Sequence, residues 1–182
     1  MKKYFSILFL ILFINNVSAD TKENIIQNLR DTNNISFKFE QNINGKIENG
    51  NCIIEYPKKI FCDYKTNNQK ILVSNGRSLV IKTLNSYYLY PIEKTPLNLI
   101  LDKNFLVNKL NNLEEERIDA ANIMFRILEN DNEINIFFNN ETFNLIGWQT
   151  KDIYQNISVT YLSSIKLNQQ VKKGLFKLPV QN

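Results

Sequence analysis

The stretch "NCIIEYPKKIFCDY", residues 51–64, decides the fold, because it predicts two short strands joined by a turn. Apolar and polar residues alternate on both sides of positions 56–58, which is typical of strands with one buried face. If positions 56–58 form the turn, Cys52 lies directly opposite Cys62, and the two side chains share one face of the hairpin. The chain has no other cysteine. The segment therefore predicts an antiparallel hairpin that a disulfide can bridge.

Whether that disulfide forms depends on the compartment, and the N-terminus has the layout of a secretory signal peptide. A basic start and an apolar run ending near Ile14 precede the small residues "VSA" at 17–19. The run is shorter than the ~20 apolar residues of a membrane-spanning helix. We therefore expect a signal peptide over residues 1–19, cleavage after Ala19, and one exported domain over residues 20–182. In an oxidising compartment, the disulfide is favoured over two buried free thiols.

Composition narrows the possible functions. The chain has no histidine, so Ser/His/Asp, Cys/His and histidine-metal sites are excluded within it. Its net charge of +4 is scattered, without a basic run longer than a pair, so we expect no nucleic-acid partner. Asp63, Glu55, Glu40 and Glu93 could supply the carboxylate pair of a secreted hydrolase. Because scattered acids on strand surfaces are usually solvated, we instead expect no enzyme, no metal and no cofactor.

Alternating patterns predict further strands on both sides of the hairpin. "ISFKFEQNI" at 35–43 precedes it, and two strands within 69–84 meet at the Asn75-Gly76 pair, which readily adopts a tight turn. "NGNC" at 49–52 predicts a bulge where the sheet bends. Consecutive strands with short turns predict a meandering antiparallel sheet.

Other segments are helical or ambiguous. Apolar spacing predicts a helix over 21–32, and Pro96 favours the start of one or two short helices near 96–110. Residues 114–128 have helical propensity at first and strand alternation later. "GLFKLP" at 174–179 is predicted as a strand or strand fragment.

Several short motifs follow one another in an order found in one family, although each is weak alone. They are "FKFEQ" (37–41), "YPKKIFCDY" (56–64), "ILVSNGRSLVIK" (71–82), "TPLNLIL" (95–101), "LIGWQTKD" (145–152) and "GLFKLP" (174–179). Together they resemble the LolA family, the periplasmic carriers of outer-membrane lipoproteins in Gram-negative bacteria, and most closely its alphaproteobacterial form.

The resemblance implies a mainly β fold: a single curved antiparallel sheet that forms an unclosed half β-barrel capped by short α-helices. Residues 114–128 then become strands, and the helices at 21–32 and 96–110 form a lid. It also implies a periplasmic chaperone that binds lipoprotein acyl chains in a hydrophobic cavity and shuttles them from the inner to the outer membrane. The implied partners are triacylated lipoproteins, an inner-membrane ABC-type release complex and an outer-membrane acceptor. We expect a monomer.

The candidate cavity residues are apolar residues on the strand faces: Phe37, Phe39, Ile54, Tyr56, Ile60, Tyr64, Leu72 and Trp148. The candidate lid residues are Leu97, Ile100 and Leu101. Ordinary core packing is the alternative for each of them, since parity alone does not tell which strand face is concave.

One departure from the family concerns Tyr56, which stands where many members carry an arginine before the turn proline. Lys58 and Lys59 are near but not equivalent, so the resemblance assigns no cargo-transfer role to an arginine here. The alternative function is another periplasmic lipid-binding, lipoprotein-binding or stress-sensing module on the same fold.

Overall fold

The computed structural model describes residues 18–129, 132–151 and 156–181. Most of the predicted signal peptide, residues 1–17, lies outside that part of the chain. Among the described residues, no helix combines the length and the apolar character needed to span a membrane.

The described strands form one antiparallel sheet. In chain order they are β1 (Asn34–Ile43), β2 (Lys46–Glu55), β3 (Lys59–Tyr64), β4 (Ile71–Asn75), β5 (Ser78–Lys82), β6 (Tyr87–Pro91), β7 (Glu116–Arg117), β8 (Asn122–Glu129), β9 (Asn132–Asn139), β10 (Leu145–Lys151) and β11 (Ile157–Leu167). Across the sheet the order is β6-β5-β4-β3-β2-β1-β11-β10-β9-β8-β7. The strands β6 and β7 are the two edges and do not pair with each other, so the barrel is not closed. The predicted fold class is confirmed.

The hairpin of β2 and β3 has the register that the sequence predicts. Glu55 pairs with Lys59 and Cys52 with Cys62. The two cysteines form a disulfide, with their Cα atoms 4.1 Å apart. The alternating pattern of this segment thus fixed both the turn and the cross-strand neighbours.

Three helices pack against one face of the sheet: α1 (Ser18–Asp31), α2 (Leu97–Ile100) and α3 (Lys103–Asn111). A 3₁₀ turn at Ile92–Lys94 leads into α2, and the Asp102 side chain caps α3 by accepting a hydrogen bond from the Phe105 amide at 3.0 Å. Buried residues of the three helices belong to one apolar cluster with residues from both halves of the sheet. We call the sheet face that joins this cluster the inner face. The sheet therefore curves around its helices.

The segment at 114–128 is mainly strand, as the resemblance implies. Its last part forms β8, where Ile123, Phe125 and Ile127 alternate as buried residues with more accessible neighbours. This burial of one face outweighs the weak helical propensity of the segment.

Two sequence expectations are wrong. Residues 174–179 form a turn and irregular backbone rather than a strand, because Gly174 adopts a φ of 81° and the Lys177 amide donates to the Gly174 carbonyl. No bulge occurs at 49–52, since the pairing of β2 runs through Gly50 without a shift. A Cβ atom at Gly50 would lie 2.1 Å from the Asp63 carbonyl oxygen, so the glycine serves close approach of two strands.

Candidate functional site

A cavity of about 180 Å³ lies between the inner face of the sheet and the segment that starts α2. Its wall consists of Phe37, Phe39, Gln41, Cys52, Ile60, Cys62, Tyr64, Leu72, Leu79, Ile81, Thr95, Pro96, Leu97, Trp148, Thr150 and Thr160. Most of these residues are apolar, and none of the described wall residues carries a charge. The cavity is therefore suited to a hydrocarbon ligand and poorly suited to an ionised one.

Six of the eight predicted cavity residues line this wall. They are Phe37, Phe39, Ile60, Tyr64, Leu72 and Trp148. Aromatic edge contacts order two pairs of them: the Phe39 and Tyr64 ring centroids are 4.9 Å apart, and those of Phe37 and Trp148 are 6.3 Å apart. Acyl-chain binding by these residues stays a prediction.

The structure does not bring Ile54 and Tyr56 to the cavity wall. Both lie at the end of β2 that meets the helices, where the Tyr56 amide donates to the Asn33 carbonyl at 2.9 Å. Ile54 is fully buried in the apolar cluster. The Tyr56 hydroxyl is buried without a hydrogen-bond partner in the described part of the chain, and burial raises the pKa of this hydroxyl above its usual range.

Of the predicted lid residues, one lines the cavity and two are buried elsewhere. Leu97 lines the cavity, whereas Ile100 and Leu101 are fully buried in the apolar cluster beside it. Leu106 and Leu110 of α3 are also fully buried there. The helices α2 and α3 thus hide an apolar side from water.

A few polar contacts hold α2 and α3 in place, among them the ion pair of the Lys109 Nζ of α3 with the Glu129 carboxylate of β8 at 2.6 Å. The Lys58 amide, in the turn between β2 and β3, donates to the Leu101 carbonyl at 2.8 Å, and the Lys58 Nζ lies 3.3 Å from the Asp102 carboxylate. The Lys103 Nζ donates to the carbonyls of Arg30 and Thr32, each at 2.9 Å, and so ties α3 to the end of α1. Partly exposed contacts of this kind contribute little free energy each.

Sequence reasoning missed part of the wall. The missed residues are Gln41, Leu79, Ile81, Thr95, Pro96, Thr150 and Thr160, together with the role of Cys52 and Cys62 as wall residues. The sequence did indicate that Gln41 faces the cavity, because the alternation that puts Phe37 and Phe39 on one face of the strand continues to position 41. A polar residue on a predicted apolar face was passed over.

A buried ion pair lies beside the polar part of the wall. The Glu48 side chain is 5% exposed and contacts the Nζ atoms of Lys70 and Lys46, the latter at 3.0 Å. Burial raises the pKa of the Glu48 carboxyl, but hydrogen bonds and charge from the two lysines outweigh burial and leave the pKa lowered. The Lys70 Nζ also lies 4.1 Å from the centre of the Tyr64 ring, so the lysine charge interacts with both the Glu48 carboxylate and the ring.

The acids of the hydrolase alternative do not meet at the cavity. Asp63, Glu40 and Glu93 are exposed, and Glu55 forms an ion pair with Lys59 at 2.6 Å. None of the four belongs to the cavity wall. The described residues therefore offer no carboxylate pair around the candidate site.

Comparison with known families agrees with the geometry. The family described as "Outer membrane lipoprotein carrier protein LolA" matches residues 30–179, so this chain belongs to the LolA family. No curated protein sequence matches the chain.

Solved structures with a similar fold are distant in sequence. The LolA superfamily protein NE2245 from Nitrosomonas europaea is 10% identical, with a TM-score of 0.44 over 87% of this chain and 98% of that one. The lipoprotein LppX from Mycobacterium tuberculosis is 13% identical, with a TM-score of 0.48 over 87% and 99%. MucB, solved also with MucA from Pseudomonas aeruginosa, is 9% identical, with a TM-score of 0.48 over 91% and 64%. These likenesses concern the fold alone.

Proposed function

We propose that this protein carries acylated proteins and holds their acyl chains between the inner face of the sheet and its helices. The observation that carries the proposal is the uncharged, mostly apolar cavity beneath Leu97, in a chain of the family described as outer membrane lipoprotein carriers. A soluble protein with such a cavity can keep hydrocarbon out of water.

Uptake of an acyl chain requires the helices to move. Ligand pockets for drug-sized molecules usually enclose about 300–1,000 Å³, whereas this cavity encloses about 180 Å³. The sheet is continuous through hydrogen bonds, but α2 is only four residues long and rests mainly on apolar contacts. Movement of α2 and α3 away from the inner face is therefore the simplest way to enlarge the cavity.

The free energy of opening the lid is comparable to that gained by burying one acyl chain. Exposing the four fully buried lid residues Ile100, Leu101, Leu106 and Leu110 costs about 6–12 kcal/mol at about 1.5–3 kcal/mol for each side chain. An acyl chain of about fourteen methylenes costs about 11 kcal/mol to leave in water. Because burial of one chain already offsets opening of the lid, this protein can take up cargo without nucleotide hydrolysis of its own, and the other chains of a triacylated cargo favour the loaded state further.

The proposal places the mature chain in the periplasm after removal of residues 1–19. There it would receive triacylated lipoproteins from an inner-membrane ABC-type release complex and deliver them, as a monomer, to an acceptor at the outer membrane. Tyr56 stands where many family members carry an arginine. The polar contacts between helices and sheet that a handover partner would have to break include those of Lys58 with Leu101 and Asp102 and the ion pair of Lys109 with Glu129.

The test is mass spectrometry of protein purified from its own periplasm, combined with release of a triacylated lipoprotein from membranes. We expect bound acylated protein and efficient release. A Leu79→Gln variant should lose release, because it puts an unpaired amide into the cavity wall. Leu89→Gln is the matched control, since Leu89 is 56% exposed on the neighbouring strand. Consistently empty protein that releases no lipoprotein would refute the proposal.

A further inference from the structure

The cavity has one polar end, and its polar residues are neighbours across three strands. Gln41 of β1 pairs with Thr160 of β11, and Thr160 pairs with Trp148 of β10. Thr150 lies two residues further along β10 and pairs with Ser158. Gln41, Thr150 and Thr160 all line the cavity. We call these three residues the polar end of the cavity.

The polar end has hydrogen-bonding capacity to spare. The Gln41 Nε2 donates to the Ser158 hydroxyl at 3.0 Å and to the Thr160 hydroxyl at 3.2 Å. Each threonine hydroxyl can also donate one hydrogen bond. Within the described part of the chain, neither Thr150 nor Thr160 donates its hydroxyl to an acceptor, although Thr160 is only 3% exposed. A carbonyl oxygen of a ligand is the kind of acceptor that these hydroxyls lack.

The charge next to the polar end is neutralised. Glu48 pairs with Gln41 across β2 and β1, but its carboxylate is engaged by Lys70 and Lys46. No described residue of the cavity wall is charged. An ionised carboxylate would therefore enter the cavity without a free cation to compensate it, whereas a neutral carbonyl meets hydroxyl donors.

We propose that the polar end binds the neutral ester or amide carbonyls that join acyl chains to a head group, so that the cavity selects acylated head groups over free fatty acids. This inference rests on the proposed function, because it assumes that the acyl chains occupy the apolar part of the same cavity. Acyl esters occur both in lipid-modified proteins and in diacylglycerol lipids. We assign the site to the lipid-modified protein, whose N-terminal amide adds a third carbonyl.

The test is displacement of a fluorescent acyl probe from the mature protein by four competitors with sixteen-carbon chains. They are hexadecane, palmitate, dipalmitoylglycerol and a synthetic triacylated cysteine lipopeptide. The variant is the Thr150→Val, Thr160→Val double substitution, which keeps the shape of both side chains and removes their hydroxyls. A Thr142→Val variant is the control, because Thr142 lies outside the cavity wall and its hydroxyl donates to the Asn139 Oδ1 at 3.0 Å.

We expect the wild-type protein to bind the lipopeptide most tightly and dipalmitoylglycerol more tightly than palmitate. The double variant should lose about two- to tenfold in affinity for lipopeptide and diacylglycerol for each hydroxyl used, with hexadecane unchanged. Equal losses for all four competitors, or no loss for the esters, would overturn the polar-end assignment while leaving acyl binding intact. Tighter binding of dipalmitoylglycerol than of lipopeptide would overturn the assignment to an acylated protein. Failure of the wild-type protein to bind any competitor would overturn the proposed function as well.

Discussion

Truncation of the Ile100 side chain distinguishes a lid that opens on ligand binding from helices that stay fixed in the core. Ile100 is fully buried in α2 but does not line the cavity, so Ile100→Ala leaves the cavity wall unchanged. Replacing a buried isoleucine by alanine destabilises a protein by about 2–5 kcal/mol. If α2 leaves the inner face when an acyl chain binds, the loaded state does not need the Ile100 contacts. The substitution then weakens only the empty, closed state.

The expected result is a combination of two opposite effects. The free energy of unfolding of the empty protein should fall by about 2–5 kcal/mol in urea denaturation. The affinity for a fluorescent acyl probe should rise at least about tenfold, since 1.4 kcal/mol corresponds to a factor of ten. Lower stability with unchanged or weaker binding would show that Ile100 belongs to an immobile core.

Val80→Ala is the matched control for this experiment. Val80 is fully buried, but it does not belong to the cluster that joins the inner face to the helices. Its packing is therefore the same whether the helices are closed or open. We expect a loss of about 1–3 kcal/mol in the free energy of unfolding, with unchanged affinity for the probe.

Three further predictions concern the sheet and its charges. Replacing both Cys52 and Cys62 by alanine should lower the free energy of unfolding by up to about 3 kcal/mol, as expected for a short loop, and a reductant should then have no further effect in urea denaturation. Gly50→Ala should destabilise the protein by more than 1 kcal/mol in the same assay, since its Cβ would meet a strand β3 carbonyl at 2.1 Å; wild-type stability would contradict the close approach. The pKa of Glu48 is lowered in the folded state, so its contribution to stability is present above the ordinary value of 4.5 and is lost as pH falls below it. Glu48→Gln should make the melting temperature depend less on pH in that acidic range. An unchanged pH dependence of the melting temperature would contradict the pairing with Lys70.

The strand pattern of the sequence predicted the sheet well, because side-chain alternation and turn residues are local properties. The hairpin at 51–64 shows this: once the turn at 56–58 is chosen, the pairing of Cys52 with Cys62 follows by counting. The same pattern could not tell which face is concave. Val73 and Val80 are as deeply buried as Ile60, yet they lie outside the inner cluster, and alternation looks the same from both faces.

Which part of each strand lines the cavity could not be predicted from the sequence, because it depends on how the helices pack on the sheet. Ile54 has the parity of a cavity residue, but the helices cover the end of β2 where it lies, and this crossing is invisible in a local pattern. Gln41, Thr150 and Thr160 were passed over because a search for apolar faces discards polar residues. Gly50 was misread as the sign of a bulge, since a glycine in a strand marks equally well a bulge or a close approach of backbones.

The most direct test of a lid that opens is a distance measurement between spin labels at Asn108 on α3 and Asn51 on β2, both of which are exposed. If the helices leave the inner face, a triacylated lipopeptide should lengthen the distance by at least about 4 Å, the thickness of one layer of apolar groups in contact. A distance that stays the same while the lipopeptide is bound would show that the lid does not open.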